Sequence, residues 1–330
     1  MEILKRILIT CTILLLILVM TTGCDGFLEL TNYLQPGLVD IIELDYAEDD
    51  KRLICAYDGK LYAALGTTMY VIDEDGFSID EEYEYYFRDD HDNWTTLKAS
   101  ETSAEEFILY TQQSDNIYFL DEDNDIVRKK DIVSLGSQDL DSDCIAYMAW
   151  DGTDLISGYT IEDGRLMEWY VLGTDISGGR IEIPDDTRII NMEAIGDYFY
   201  VITVPVFDEE TDGEPLDVHL GVFEMDDADI PEEYDSSYWT KTTIVEQCSY
   251  TEEDNNGDWY PGLNTSITAE GIMIYDIDSS FDEPNTVFLD FDGNITGQMQ
   301  CDNGTTGCVS STGGYCYFLS KRGVFKYELP

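Results

Sequence analysis

The sequence predicts an all-β fold, and three observations carry that prediction. The chain of 330 residues is 43% hydrophobic, with 23 Tyr and 13 Phe, which is enough apolar material for a core. Short β-rich runs are separated by Asp, Gly and Asn along the chain, a spacing typical of sandwiches, barrels and propellers. Long amphipathic helix patterns are absent from the sequence. Ser103 and Glu106 stand at capping-box spacing in residues 103–113, but Phe107–Tyr110 and its surroundings favour a strand.

One phrase recurs six times: a turn with Gly, Asp or Asn, an aromatic-rich strand, a second turn and another strand. Such a hairpin cannot cover its apolar face alone, whereas stacking hairpins around an axis buries a shared core and hides the sheet edges. The phrases therefore predict a β-propeller of six or seven blades over residues 37–330. The segment Tyr238–Tyr250 is where a seventh blade would lie, and Leu38–Leu44 would pair with the last blade and close the ring. A pair of two-sheet sandwiches and a β-solenoid are the alternatives.

These phrases, above all DNIYFLDEDNDIVRK at residues 115–129, resemble the blades of bacterial β-propeller lipoproteins. The resemblance covers most of residues 50–330. It implies a propeller displayed outside the cytoplasm.

The N-terminus has the order of an export signal. Lys5 and Arg6 precede an apolar run, Ile7–Met20, that is shorter than the roughly 20 residues a membrane-spanning helix needs. The following Thr21-Thr22-Gly23-Cys24 resembles the lipobox of bacterial lipoproteins, with Thr21 in place of the usual Leu. The resemblance implies that residues 1–23 are a cleaved signal peptide, that Cys24 carries the acyl chains and that residues 24–36 are a tether on the extracytoplasmic face of the cell membrane. An ordinary signal peptide with an incidental Cys is the alternative.

The charge of the chain restricts its partners. There are 70 acidic and 17 basic residues, a net charge of -53. Such a surface repels phosphate backbones, so nucleic acid is excluded as a partner, and it favours cations and cationic partners. Solubility, or a salty habitat that screens dense carboxylates, is the plain alternative explanation.

The remaining cysteines form no C-x-x-C pair, so the sequence supports neither a zinc ribbon nor a thioredoxin-type centre. Because an exported chain meets oxidising conditions, one disulfide within the late trio is a prediction, with buried thiols as the alternative. The six are Cys55, Cys144, Cys248, Cys301, Cys308 and Cys316.

Candidate sites are few. There is no G-x-S-x-G, H-E-x-x-H, P-loop or dinucleotide motif, and the chain has two His, His91 and His219. Asp208, Glu210 and Asp212 alternate before Gly213 and resemble the first half of an EF-hand loop, which makes them the candidate Ca²⁺ ligands. Solvated turns are the alternative. Aromatic side chains in polar stretches are candidate contacts for a protein or a glycan, namely Trp94, Trp239 and Trp259. Packing of these rings between blades is the alternative.

The sequence favours a membrane-anchored, non-catalytic binding protein with a very acidic surface. A carbohydrate-active or other hydrolytic propeller enzyme is the alternative. An assembly factor that displays its propeller to partner proteins is a third interpretation, and fold alone does not choose among the three.

Overall fold

The apolar runs of the repeated phrase form antiparallel β-strands. Successive side chains of a strand point to opposite faces of its sheet, and in the middle strands both faces are covered. The structure is a computed structural model. It describes residues 37–44, 52–66, 68–84, 94–101, 107–113, 116–120, 126–131, 146–150, 155–161, 166–172, 177–195, 198–205, 214–224, 234–248, 252–253, 259–260, 263–275, 284–301, 306–320 and 323–330.

Six four-stranded sheets make up most of this described part, each with its strands in chain order except the last. The first three sheets are β2–β5 (Arg52–Tyr57, Lys60–Leu65, Thr68–Asp73, Ser78–Glu84), β6–β9 (Trp94–Glu101, Phe107–Gln113, Asn116–Leu120, Ile126–Asp131) and β10–β13 (Ala146–Trp150, Leu155–Ile161, Leu166–Leu172, Ser177–Glu182). The fourth and fifth are β14–β17 (Thr187–Ile195, Tyr198–Pro205, Glu214–Glu224, Trp239–Cys248) and β20–β23 (Asn264–Thr268, Gly271–Tyr275, Thr286–Leu289, Ile295–Met299). A short ribbon pairs β18 (Glu252–Glu253) with β19 (Trp259–Tyr260).

The sixth sheet joins the two ends of the described chain. Its order is β1-β26-β25-β24, where β24 is Thr306–Val309, β25 is Tyr315–Ser320, β26 is Gly323–Glu328 and β1 is Leu38–Glu43. Antiparallel pairing sets Ile41 opposite Phe325 and Glu43 opposite Gly323. The predicted closure of the ring by the N-terminal strand is therefore confirmed.

The first strands of the sheets are neighbours. Strand β2 lies against β6 and β24, β24 against β20, β20 against β14, and β14 against β10. Four-stranded sheets arranged around shared inner strands, with a terminal strand completing the last sheet, are a β-propeller. The predicted propeller of four-stranded blades is confirmed.

The core lies between adjacent sheets. One cluster joins the sixth sheet to the first through Leu61, Ile72 and Tyr317, and another joins the fifth to the sixth through Phe288 and Phe318. A third, between the fourth and fifth sheets, contains 12 buried residues, all apolar. Because the middle strands are covered on both faces, their sequences are continuous apolar runs rather than alternating ones, as in YVI of β4 and FYVITV of β15.

Two sequence expectations are resolved by the strands. The segment expected to hold a seventh blade provides β17, the outermost strand of the fourth sheet, because Gly221 of β16 pairs with Trp239. Residues Phe107–Gln113 form β7, so the interpretation of this run as a strand is correct. One 3₁₀ turn, Ser236–Tyr238, precedes β17. Within the described ranges, no helix has the length and apolar character needed to cross a membrane.

Candidate functional site

Charged side chains from different sheets meet at the centre of the ring. Lys98 on β6 donates from Nζ to the Met192 carbonyl oxygen at 2.7 Å and contacts Glu193 Oε2 at 2.6 Å. The two charged side chains are 13% and 17% exposed, so the pair is largely shielded from water. Because β6 belongs to the second sheet and β14 to the fourth, this ion pair crosses the centre past the third sheet.

A β-bulge in β14 places the acidic partner. The register with β15 shifts between Ile189 and Asn191, and Asn191 Oδ1 accepts a hydrogen bond from the Met192 amide at 2.8 Å. Bulges bend a strand and redirect the side chains that follow. Glu193 therefore owes its position to one residue inserted into β14, and the side chain of Asn191 stabilises this bulge.

Burial sets the protonation behaviour of the central groups. It raises the pKa of Glu193, and the ammonium of Lys98 offsets only part of that rise. Burial also raises the pKa of the Cys55 thiol on β2, and the nearby Glu193 adds to the effect while Lys98 opposes it. A thiol held in its protonated form is a poor nucleophile. The central cluster of Cys55, Lys98 and Glu193 thus combines an ion pair with a thiol held in its protonated form.

A second feature is the end of the ring where strands turn back. The Glu74 amide donates to the Gly59 carbonyl at 2.9 Å, and the Gly59 amide donates to Ser311 Oγ at 2.8 Å. Thr268 Oγ1 donates to the Ser310 carbonyl at 3.5 Å, which brings the fifth sheet to the same end. We call this end the turn face, defined by residues 58–59, 74–77, 269–270, 290–294 and 311–314.

The turn face is acidic. Asp58, Asp75, Glu270 and Asp292 are all exposed there, and the five turns contain no Lys or Arg. Other acids in the same turns serve the structure. Asp290 accepts from the amides of Asp292 and Asn294 at 3.0 and 2.7 Å, and hydrogen bonds led by that from Asn294 lower its pKa. Four carboxylates therefore project into solvent without a cation in these turns.

Asp217 and His219, which follow the predicted calcium loop, lie on β16. Asp217 contacts Lys241 at 2.5 Å and accepts from Thr243 Oγ1. Burial alone would raise the pKa of Asp217, but these partners hold it below its usual value. Burial, helped by Lys241, lowers the pKa of His219. The Asp217 carboxylate is therefore already engaged by a cation of the protein.

The predicted aromatic contacts have different positions. Trp239 takes the alternative of packing inside the fold and is not an exposed contact. Its side chain is 8% exposed and packs edge-on against Phe223, with ring centroids 5.6 Å apart. Its neighbour Gly221 leaves the space, since a Cβ there would lie 2.8 Å from the Trp239 ring. Trp94 begins β6 and Trp259 begins β19, but their side chains lie outside what the structure describes.

The other predicted site residues lie in parts of the chain that the structure does not describe. Cys24 and the cluster of Asp208, Glu210 and Asp212 lie outside the described residues. Within the ranges that are described, no group of three or more His, Cys, Asp or Glu side chains is arranged to hold a metal ion. Calcium binding and lipidation therefore stay predictions from the sequence.

A disulfide between Cys308 and Cys316 is excluded by the alternation of β-strand side chains. Cys308 pairs with Tyr317 and packs towards the first sheet, whereas Cys316 pairs with Val309 and packs towards the fifth. Both are buried thiols.

The sequence does not predict the central cluster, although Lys98 offers a signal: it is a basic residue inside a strand of a chain with only 17 Lys and Arg.

Comparison with known proteins agrees with the geometry on the fold. No protein family model matches the chain, and no curated protein sequence does. The β-propeller domain of Cps50 (Swd1) from Myceliophteria thermophila is similar, with a TM-score of 0.54 at 9% identity over 89% of this chain and 100% of that one. The likeness is one of fold.

Two further structures match less closely. Hydrazine synthase from Kuenenia stuttgartiensis has a TM-score of 0.49 at 9% identity, over 87% of this chain and 97% of that one. A chain of the mitotic checkpoint complex has a TM-score of 0.44 at 11% identity, over 90% and 93%.

Proposed function

We propose that this chain is a lipid-anchored, extracytoplasmic propeller that catalyses no reaction and binds a cationic protein or glycan-bearing partner through its turn face. The observation that carries the proposal is the set of exposed carboxylates on that face, Asp58, Asp75, Glu270 and Asp292, with no basic residue in the same turns. The Gly59 amide ties a turn of the first sheet to Ser311 of the sixth, and the Glu74 amide ties the two turns of the first sheet together, so these charges are presented on hydrogen-bonded turns.

Charge on such a face acts mainly on the encounter with the partner. Complementary potentials raise association rates and select partners more than they add affinity. Screening has a Debye length of about 8 Å at physiological ionic strength, so association should slow as salt rises.

The central cluster supports a binding role over a catalytic one. Lys98 is occupied by Glu193 and a backbone carbonyl, and Cys55 is held as a thiol. Both groups are therefore engaged inside the fold, whereas the carboxylates of the turn face are exposed to solvent.

Anchoring rests on the N-terminal sequence. Two acyl chains suffice for stable membrane binding, whereas one gives marginal binding. In a lipoprotein-processing host, the wild-type chain should incorporate a fatty-acid probe and partition into membranes, while Cys24→Ser should do neither. Equal labelling of the two would contradict the proposal for the anchor.

The binding test removes four charges from the turn face without changing side-chain size. The variant is D58N/D75N/E270Q/D292N, and Asn suits position 58 because Asp58 has a φ of 46°, a region that Asn tolerates. The control, D40N/E43Q/E81Q/E82Q, removes four exposed charges from the outer strands β1 and β5. The probe is an immobilised deca-lysine peptide, with a neutral Gly-Ser peptide beside it, and the protein is the full chain in detergent.

We expect the turn-face variant to lose at least about tenfold in association rate relative to the control, consistent with the rate gains that steering provides. Equal losses in the two variants would mean that net charge alone drives the interaction, and the turn face would then not be the binding surface.

One observation favours the hydrolytic alternative: Glu193 has a raised pKa, as a general acid requires. The full chain should be screened against glycan and peptide substrates. Turnover that Glu193→Gln abolishes would replace the binding proposal with the enzyme.

A further inference from the structure

Three sulfur-bearing side chains share one apolar cluster between the fifth and sixth sheets. Cys316 is fully buried and its Sγ lies 3.9 Å from Met299 Sδ. Cys301 is 6% exposed and belongs to the same cluster, among rings that include Tyr275 and Phe318. We call these three residues the sulfur cluster.

The strands bring these residues together. Met299 ends β23, and Cys301 follows two positions later, the spacing that returns a side chain to the same face of an extended chain. The Cys301 backbone is fixed from both sides, because Asn285 Oδ1 accepts from its amide at 2.8 Å and Asn285 Nδ2 donates to its carbonyl at 2.7 Å. Cys316, on β25, joins the same cluster from the sixth sheet and contacts Met299 there.

We propose that the sulfur cluster is a binding site for a soft monovalent metal ion of the Cu(I) class. Thiolate and thioether ligands select Cu(I) over the hard divalent ions. Three sulfurs held about 2.3 Å from one metal ion stand roughly 4.0 Å apart in a trigonal arrangement. The 3.9 Å between Cys316 and Met299 already matches that spacing.

The charge of the ion suits the surroundings. Cys316 is fully buried in this apolar cluster, so its sulfur can bind a cation as thiolate only by losing its proton. Binding replaces that proton: Cu⁺ takes the Cys316 sulfur as thiolate and one proton leaves to solvent. The thiolate and the ion together are neutral, as an apolar cluster requires, and neither partner changes its oxidation state. A divalent ion would leave a net charge in the core.

The test is a titration of the reduced full chain, in detergent and without oxygen, with Cu(I) against a chromophoric Cu(I) chelator and separately with Ag(I). We expect Cys316→Ser and Met299→Leu each to weaken the tightest site by at least about tenfold, or 1.4 kcal/mol. Met299→Leu keeps an apolar side chain of similar volume, so it reports on ligation in a folded core.

Cys308→Ser is the matched control. Cys308 is buried on the neighbouring strand of the same sheet but faces the opposite side, so its loss should leave the affinity unchanged. Equal weakening by Cys308→Ser, absence of a one-to-one site, or a native chain that carries a Cys301–Cys316 disulfide, seen as a loss of two hydrogens by mass, would each overturn the proposal.

Discussion

Glu193 is an acidic side chain whose surroundings disfavour its charge. It is 17% exposed, and burial raises its pKa although Lys98 lies 2.6 Å away. An ion pair taken out of water regains only part of the lost hydration, which is why the partner does not restore an ordinary pKa. The position of Glu193 at the centre of the ring therefore lowers the free energy of unfolding by an amount that depends on pH.

The sign of that dependence follows from linkage. A carboxyl with a raised folded pKa adds most stability below its unfolded pKa, about 4.3 for Glu, and loses it as pH rises through the folded value. Glu193→Gln cannot ionise, so its free energy of unfolding relative to the wild type should rise as pH rises from about 4.3 towards the raised folded pKa of Glu193. The gain is about 1.4 kcal/mol for each unit by which the pKa is raised, and urea unfolding at several pH values measures it.

Glu82→Gln, on exposed β5, is the control for removing one carboxylate from a very acidic chain. If the two variants gain equally on the wild type, the effect is the loss of general repulsion, and Glu193 has no special role.

Side-chain exposure was the hardest property to predict at this scale. Trp239 follows a polar stretch, which suggested a surface ring, yet it is buried by Phe223 and by the space above Gly221. No local pattern contains that information, because the contacts come from β16, a separate strand. Glu193 was missed for the same reason, since its partner Lys98 is 95 residues earlier in the sequence.

At the scale of elements, the acidic turns join neighbouring sheets. Glu74, in the turn between β4 and β5, is 1% exposed and accepts from Ser310 Oγ, Ser311 Oγ and Thr312 Oγ1 of the sixth sheet. Lys326 donates to the Glu74 carbonyl at 2.8 Å and lies 4.1 Å from the centroid of the Tyr315 ring. This turn therefore links the first sheet to the last.

We expect Glu74→Gln to destabilise the fold by about 2–3 kcal/mol, since hydrogen bonds to a buried charged group are worth that much and an amide nitrogen cannot accept them. Asp75→Asn, one residue away and exposed, should cost within about 0.5 kcal/mol. Chemical denaturation of both variants gives the comparison, and similar losses would show that the hydroxyl contacts contribute nothing net.

The positions of the strands could be predicted from the sequence because strand formation depends on local residue types. Aromatic and β-branched runs between Asp-Gly turns suit a pleated strand, and they mark β3, β15 and β25 without any knowledge of the neighbours. The pairing partner of β17 could not be predicted from local sequence in this way. Its segment has an apolar run like that of an inner strand, and only its pairing with β16 places it at the outside of the fourth sheet.

For the whole molecule, closure depends on β1 approaching β26 closely. Gly323 has a φ of +142°, and a Cβ there would lie 1.8 Å from the Ile42 carbonyl oxygen. Gly323→Ala should therefore detach β1 and cost at least about 2 kcal/mol. Limited proteolysis should then cleave near residues 37–44 before the rest of the domain unfolds.

Gly314→Ala separates the steric clash from the backbone strain as causes of the expected loss of stability in Gly323→Ala. Gly314 also has a positive φ, +79°, but nothing lies within 4 Å of its added Cβ. Its cost should be about 1 kcal/mol, from backbone strain alone, with β1 still protected. Early cleavage in both variants would refute the steric explanation.

The net charge of -53 is a property of the whole molecule, and it complicates the predicted calcium site. Like charges in a compact fold repel one another, so any salt should raise the melting temperature by screening. A specific ion adds stability by mass action, about 2.7 kcal/mol at a hundredfold excess over its Kd. We expect CaCl₂ to raise the melting temperature above NaCl at matched ionic strength, and D208N/E210Q/D212N to abolish that difference while leaving the response to NaCl. If calcium and sodium act alike on the wild type, the alternating acids before Gly213 are solvated residues, and the response belongs to the charge of the chain as a whole.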